Sequence, residues 1–238
     1  MKTDNPHTGH RERLRSRAKA DPGLDTFSDH EVLELLLFYS IPRADTNALA
    51  HRLIDTFGSL RGVFEASPTE LEAVEGIGEN SALLLSLIPS VTRKYLLSRA
   101  VKGVSLSNTA LLGEALMPYF VGKREETIYV LFLDQNRRTI SCDFIGEGSV
   151  NAVSLNVAKI LRLASLRRAQ FAVIAHNHTN GFANPSEQDI ITTKRLQSLL
   201  ASAGVKLLDH LIISDPLDNS SDVCEYVSLA ESGVFCVP

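Results

Sequence analysis

Two apolar runs place the tightest limit on how this chain can fold. Thr127–Leu133 reads TIYVLFL and Phe171–Ala175 reads FAVIA. Neither run alternates apolar with polar side chains, so each predicts a strand that is buried on both faces of its sheet. Helical patterns follow at residues 156–166 and 186–203. Strands that alternate with helices indicate a layered α/β domain.

The two halves of the chain carry different patterns. The N-terminal half has only helical patterns, at residues 28–41, 46–57, from 68 onward and 80–97. Ser28 and Glu31 are spaced as a capping box, which marks the start of the first of these helices. The C-terminal half adds a helix at 110–120 and strands at 139–144, 206–214 and 226–229. Residues 99–109 are small and polar, as is typical of a linker. We therefore predict a helical domain over 1–100, a linker over 101–109 and an α/β domain over 110–238.

Composition narrows the class of protein. The chain is 44% apolar, which supplies a sizeable core, and its net charge of −4 gives no field that would draw the whole protein to nucleic acid. Its three cysteines, Cys142, Cys224 and Cys236, lack Cys-x-x-Cys spacing. This argues against a disulfide framework and a cysteine zinc knuckle.

The N-terminal segment is polar and has no apolar signal core. The apolar run Leu35–Tyr39 is too short to span a bilayer, so we expect a cytoplasmic protein with no membrane partner. Residues 1–20 form a basic arm that carries Arg11, Arg13, Arg15, Arg17 and Lys19. The arm is interpreted either as a solvated, frayed terminus or as a phosphate-contacting segment.

Gly76-Ile77-Gly78 lies between two predicted helices, and this arrangement resembles a helix-hairpin-helix. Two glycines let backbone N–H groups approach a DNA phosphate at a helix N-terminus, independently of base sequence. The acidic Glu75 and Glu79 beside the turn weigh against this, and a tight helix–helix turn also favours glycine. DNA contact and a plain turn both stay open.

A second histidine motif, His30-Glu31-x-x-Glu34, resembles half of the helix motif of zinc proteases. The motif needs a second histidine where this chain has Glu34. We therefore predict a helix cap and a solvated helix face here, without a metal.

The stretch after the second apolar run carries metal-ligand types. Side chains at i and i+2 of a strand share a face, so His176 and His178 can aim two imidazoles at one point. A polar loop follows, and Asp189 lies in the first turn of the next predicted helix, where it can be a third ligand. Two histidines and one carboxylate leave one tetrahedral position for water, as in a catalytic zinc site. Asn177 would face the other way and could hold the backbone in place.

A hydrolase also needs a general base, and Glu126 directly precedes the strand Thr127–Leu133. Glu125 would point to the opposite face. Ser186 and Asp189 also have the spacing of a variant capping box, which is the structural alternative to metal binding. If Asp189 binds zinc, Ser186 is expected to leave the box and donate to a substrate oxygen or to the water.

The set of His176-x-His178, Ser186-x-x-Asp189 and upstream Glu126 resembles the JAMM (MPN+) metalloprotease motif. More closely, the chain resembles the bacterial RadC family, often labelled DNA repair proteins. The resemblance covers nearly the whole chain and includes the segments HRERLR, GLDTFSDHEVLELLLFYSIPRADTN, FGSLRGVFEA, GIG, EETIYVLFLDQNRR, HNH and PSEQD. It implies an all-α helix-hairpin-helix domain followed by a cytidine-deaminase-like, three-layer α/β domain.

The resemblance also implies roles for single residues. His176, His178 and Asp189 would be zinc ligands, Glu126 the general acid/base and Ser186 the helper on the oxyanion side. The chain departs from the family after His178: the family usually reads Pro-Ser-Gly-Asp there, and this chain reads Thr-Asn-Gly-Phe. The loop Thr179–Asn184 is therefore where we expect the chain's own specificity.

Three functions follow from these patterns. The first is a zinc hydrolase that cleaves an amide in an unknown protein or peptide substrate. The second is a DNA-binding accessory of repair or recombination that contacts DNA through Gly76, Ile77 and Gly78, with the zinc domain as a partner module. The third is a metal-dependent nuclease, for which a single-metal ligand set is sparse. The sequence leaves the oligomeric state open.

Overall fold

The computed structural model describes residues 9–42, 45–99, 104–148, 156–179, 182–214 and 225–235. The chain divides into two compact units, Met1–Thr92 and Arg93–Pro238. The predicted domain bounds at 100 and 110 stay predictions. None of the described helices combines the length and the apolar character needed to cross a membrane.

Helices make up the first unit. They are α1 (His10–Ala20), α2 (Asp29–Ser40), α3 (Asn47–Phe57), α4 (Leu60–Glu65), α5 (Pro68–Glu72) and α6 (Glu79–Ser98), the last of which runs across the division between the units. Their core contains the fully buried leucines Leu33, Leu37, Leu53, Leu71 and Leu85. The capping box of Ser28 and Glu31 is confirmed at the start of α2. The six-residue α4 was not predicted, because so short a helix offers less than two turns of periodicity.

The described part of the basic arm is a helix, so its interpretation as a frayed terminus is wrong for residues 10–20. Two of its arginines bond within the unit: Arg11 donates to the carbonyls of Ile41 and Pro42, and Arg17 donates to Glu31 at 2.6 and 2.8 Å. Leu14 is the one buried residue of α1. Sequence periodicity could not reveal a helix that is held mainly by arginine contacts.

Glu34 contradicts the expectation of a solvated helix face. Its side chain is fully buried on α2, accepts a hydrogen bond from Asn47 Nδ2 at 3.1 Å and lies 2.8 Å from His10 Nε2. Asn47 is the first residue of α3, so the carboxylate lies where a helix dipole favours negative charge. His30 stacks on His51 with 4.1 Å between ring centroids. The motif is therefore used for packing and capping.

The second unit is built on a mixed sheet. Its elements are α7 (Thr109–Leu116), a 3₁₀ turn (Met117–Tyr119), β1 (Thr127–Leu133), β2 (Thr139–Glu147), α8 (Val157–Arg167), β3 (Phe171–His178), α9 (Glu187–Ser202), β4 (Lys206–Ser214) and β5 (Glu225–Ser228). The strand order is β2-β1-β3-β4-β5. Only β3 and β4 pair in parallel, with α9 as their crossover; the other pairs are antiparallel.

Both faces of this sheet are covered, as the apolar runs predict. On one face Ile128, Val130 and Phe132 of β1 belong to a core cluster with residues of α8 and α9. On the other face Leu131 and Leu133 belong to a cluster with residues of α7. Leu106, inside the predicted linker, is buried in this second cluster.

Candidate metal centre

The C-terminal end of β3 brings the two predicted histidines together with the start of α9. His176 Nε2 lies 3.0 Å from His178 Nε2 and 3.3 Å from Asp189 Oδ1, and His178 Nε2 lies 3.5 Å from Asp189 Oδ2. We call these three residues the metal centre, because they form a group whose ligand atoms could hold one ion. Ligands bound tetrahedrally at about 2.0 Å are about 3.3 Å apart, so these spacings fit zinc.

The hydrogen bonds of the two imidazoles fix which nitrogen faces the centre. His178 Nδ1 lies 3.0 Å from the carbonyl oxygen of Phe182, which can only accept, so Nδ1 is the donor. His176 Nδ1 lies 2.8 Å from Nε2 of a third histidine, His210. Both histidines therefore use Nδ1 elsewhere and direct Nε2 at Asp189, as metal-binding histidines do when an outer partner holds the other nitrogen.

Burial and hydrogen bonding shift the pKa values of all three residues of the metal centre. Burial lowers the pKa of His176 well below its ordinary value and keeps that ring neutral. A hydrogen bond with Asp189 raises the pKa of His178. Burial opposes ionisation of Asp189, yet hydrogen bonds from His178 and Ser186 lower its pKa overall. An ionised carboxylate with 1% exposure needs a cation or strong donors beside it.

Asp189 performs two tasks that the sequence presented as alternatives. Its Oδ2 accepts from Ser186 N at 2.8 Å and from Ser186 Oγ at 2.7 Å, which closes the capping box at the start of α9. Its Oδ1 faces His176 Nε2 at 3.3 Å. Ser186 thus keeps its place in the capping box here, and the expectation that its hydroxyl leaves the box once Asp189 binds zinc stays a prediction.

Glu126 lies at the edge of the centre, where β1 begins. The register pairs Ile128 with His176, and Glu126 directly precedes β1 at the end of the sheet where β3 carries His178. The charge of Glu126 contributes to the raised pKa of His178. Glu125 precedes it on an exposed bend. The position agrees with a base that can reach an open coordination site.

Asn177 holds the backbone around Glu126, as predicted. Its Oδ1 accepts from Thr127 N at 2.7 Å and its Nδ2 donates to the carbonyl of Glu125 at 3.2 Å. Gly148 N donates to the carbonyl of Glu126 at 2.7 Å. The peptide groups on both sides of Glu126 are thus tied to β3, the strand that carries the two histidines.

His210 is the part of the site that sequence reasoning missed. It lies on β4, is 2% exposed, and connects His176 to Thr193 of α9, whose Oγ1 is 2.6 Å from His210 Nδ1. Burial lowers the pKa of His210 to about 4, so the ring is neutral. The available signal was the polar pair Asp209-His210 inside an otherwise apolar central strand, since buried polar groups require partners.

The residues predicted to contact DNA and the residues of the metal centre belong to different units of the chain. Gly76, Ile77 and Gly78 belong to the first unit. Gly76 has a left-handed backbone with φ of 99°, Ile77 is buried, and the carbonyl of Gly78 accepts from Ser81 N and Ala82 N in the first turn of α6.

Burial raises the pKa of the Cys142 thiol, which makes it unreactive.

The loop after His178 is partly described. Asn180 and Gly181 lie outside the described residues. Phe182 is 68% exposed and holds His178 through its carbonyl. An exposed aromatic ring thus lies four residues after His178 of the metal centre.

A five-stranded mixed sheet with helices and a His-His-Asp group at one strand end is consistent with a JAB-type domain. The family model of the RadC-like JAB domain matches residues 106–234. The chain is 32% identical over 240 residues to the UPF0758 protein of Fusobacterium nucleatum, which covers 98% of this chain and 100% of that protein. It is 31% identical over 223 residues to the UPF0758 protein of Vibrio atlanticus, which covers 94% of each chain. The chain belongs to the RadC family. Domains of the JAB type are often metallohydrolases.

Proposed function

We propose that this protein is a zinc-dependent hydrolase that cleaves amide bonds of the peptide or isopeptide type. The donor set is the observation that supports this most. Two imidazole Nε2 atoms and a carboxylate converge within 3.0–3.5 Å while both Nδ1 atoms bond elsewhere. Two imidazole nitrogens and one carboxylate oxygen at this spacing are a donor set that suits a zinc ion.

His176, His178 and Asp189 would hold the zinc and leave a fourth position open. Zinc bound there supplies a water with a pKa of about 7 and polarises a carbonyl oxygen. Glu126 accepts the proton of the attacking water and returns it to the leaving amine, so one amide and one water become a carboxylic acid and an amine.

Ser186 is suited to bind the substrate oxygen. Its hydroxyl donates to Asp189 Oδ2 at 2.7 Å, while its Oγ also accepts from Asp189 N at 3.1 Å. The hydroxyl proton can therefore turn to a carbonyl oxygen, and the Asp189 N–H bond keeps Oγ in place. The backbone N–H of Ser186 continues to hold Oδ2.

Metal analysis with activity measurements tests the proposal. We expect about one zinc per wild-type chain and none in His176→Ala or Asp189→Ala. Glu126→Gln should keep the zinc and lose at least about 10²-fold in turnover of fluorogenic peptide and isopeptide amides. Glu125→Gln is the matched control, since Glu125 is the exposed neighbour, and it should behave as the wild type. Unchanged zinc content in both alanine variants would contradict the proposal.

We also propose DNA binding through Gly76-Ile77-Gly78 as a second candidate function. A Cβ added at Gly78 would meet no atom within 4 Å, so the backbone at the start of α6 is open to approach. The first N–H groups of a helix of 20 residues lie there. The buried Ile77 fixes the turn.

A further inference from the structure

A line of buried hydrogen bonds connects His176 and Asp189 of the metal centre. It passes through His210 and Thr193, which are not among the three ligand residues. It runs from His176 Nδ1 to His210 Nε2 at 2.8 Å, and from His210 Nδ1 to Thr193 Oγ1 at 2.6 Å. Thr193 then donates to the backbone carbonyl of Asp189 at 2.6 Å. The line involves three elements, because His176 is on β3, His210 on β4 and Thr193 on α9.

The direction of every hydrogen bond in this line follows from the last one, between Thr193 and the backbone carbonyl of Asp189. A backbone carbonyl only accepts, and a threonine hydroxyl has a single proton, so Thr193 gives that proton to Asp189. Thr193 Oγ1 must then accept from His210, which places the proton of His210 on Nδ1. A neutral His210 consequently offers the lone pair of Nε2, and His176 must donate to it from Nδ1.

The consequence reaches the metal centre. A neutral His176 with its proton on Nδ1 has an unprotonated Nε2, and that atom lies 3.0 Å from His178 Nε2 and 3.3 Å from Asp189 Oδ1. The opposite tautomer would place a proton where the metal belongs. We propose that His210 and Thr193 are positioning residues, which fix the metal-binding tautomer of His176 and its distance to Asp189. This inference rests on the proposed function, since it concerns the same zinc.

Thr193 offers the cleaner test, because Thr193→Val removes the hydroxyl and keeps the shape. The full-length chain is titrated with zinc in competition with a chromophoric chelator. We expect Thr193→Val to lower zinc affinity about 10- to 100-fold, as loss of an outer-shell partner does, and Thr193→Ser to restore it. Thr192→Val is the matched control: its hydroxyl accepts from Gln188 on the same helix, and its removal should leave affinity unchanged.

His210 gives a second pair of variants. His210→Leu removes the acceptor for His176 Nδ1 and should lower zinc affinity by the same factor. His210→Gln keeps an acceptor of similar reach and should bind zinc more tightly than His210→Leu. Thermal unfolding in EDTA separates a general loss of stability from a loss at the metal centre.

Imidazole ¹H–¹⁵N correlation spectra of the metal-free protein report the tautomer directly. His176 should carry its proton on Nδ1 in the wild type and in Thr193→Ser, and shift toward Nε2 in Thr193→Val. Equal affinity and an unchanged tautomer in Thr193→Val would overturn the positioning role and leave the proposed function standing. A wild-type chain that binds no zinc would overturn the proposed function, whatever the Thr193 variants do.

Discussion

At the scale of single residues, Asp189 shows how one side chain can satisfy the geometry of two different sequence interpretations. Serine followed three residues later by an acid fits a helix cap, and the same acid after His-x-His fits a metal ligand. In the structure Oδ2 accepts from Ser186 and also faces His178, while Oδ1 faces His176. The sequence could not reveal this, because the choice depends on where α9 begins relative to β3 in space.

Substitutions of Ser186 and Asp189 should separate the helix cap from zinc binding. Ser186→Ala removes the cap and should cost about 1 kcal/mol of stability while zinc content stays at the wild-type level. Asp189→Asn keeps an oxygen for Ser186 N but replaces the charge by an amide, so it should retain the fold and lose the zinc. Urea unfolding and metal analysis measure both effects. Loss of zinc in Ser186→Ala would show that the cap and the ligand are not separable.

The local part of the site was predictable and the distant part was not. His176, His178 and Asp189 lie within 14 residues, where strand and helix periodicity fix their directions. Glu126 was found because it borders a strand. His210 meets Thr193 where α9 packs on β4, and it meets His176 through the β3–β4 pairing, neither of which a local pattern encodes.

At the scale of elements, the sequence predicted each of the five described strands but missed the helices α1 and α4. The bounds of β1 and β4 are confirmed at Thr127–Leu133 and Lys206–Ser214. β3 extends to His178, three residues past the predicted end, because its polar end continues to pair with β4. An apolar run reveals the buried part of a strand, while backbone pairing also holds residues that serve the site.

Helix α1 depends on charge, so its attachment should respond to acid. The Arg17 guanidinium lowers the pKa of Glu31 from 4.5 to about 2. A carboxylate with a lowered pKa stabilises the folded state above its ordinary pKa, and this contribution is lost as the pH falls from about 4.5 to about 2. Because the pair is partly exposed, solvent screens it and its contribution to stability is small.

Glu31→Gln keeps the capping box and removes the charge. Relative to the wild type it should be less stable at pH 6, and the difference should shrink toward zero as the pH approaches 2. Urea unfolding midpoints at several pH values measure this difference. Glu12→Gln, which changes an exposed glutamate of α1, is the control and should follow the wild type throughout. A difference for Glu31→Gln that stays constant with pH would contradict the role of this ion pair.

At the scale of the whole molecule, charge restricts how DNA could be bound. The net charge is −4, and each half of the chain, divided at Ala100, carries 12 basic against 14 acidic residues. Arg11 and Arg17 of α1 already bond to groups of their own unit. Binding to DNA would therefore depend on backbone N–H groups near Gly78, and few counterions would be released.

Fluorescence anisotropy with duplex, forked and single-stranded DNA measures such binding. We expect a weak interaction with a shallow salt dependence, which Gly78→Glu abolishes by placing a negative side chain at the start of α6. Gly78→Ala is the control, because a Cβ has open space there and the fold should be kept. Equal DNA binding by the wild type and Gly78→Glu would show that this turn does not contact DNA.

The parallel pairing of β3 with β4 also determines when, during synthesis, the chain can assemble the metal centre. His210 follows His176 by 34 residues. At roughly 5–20 residues per second, the ribosome needs about 2–7 s more to add it after His176. Parallel strands cannot form a hairpin and must wait for their crossover helix. During synthesis, His176 and His178 are therefore present well before β4 and His210 can hold them in the arrangement of the metal centre.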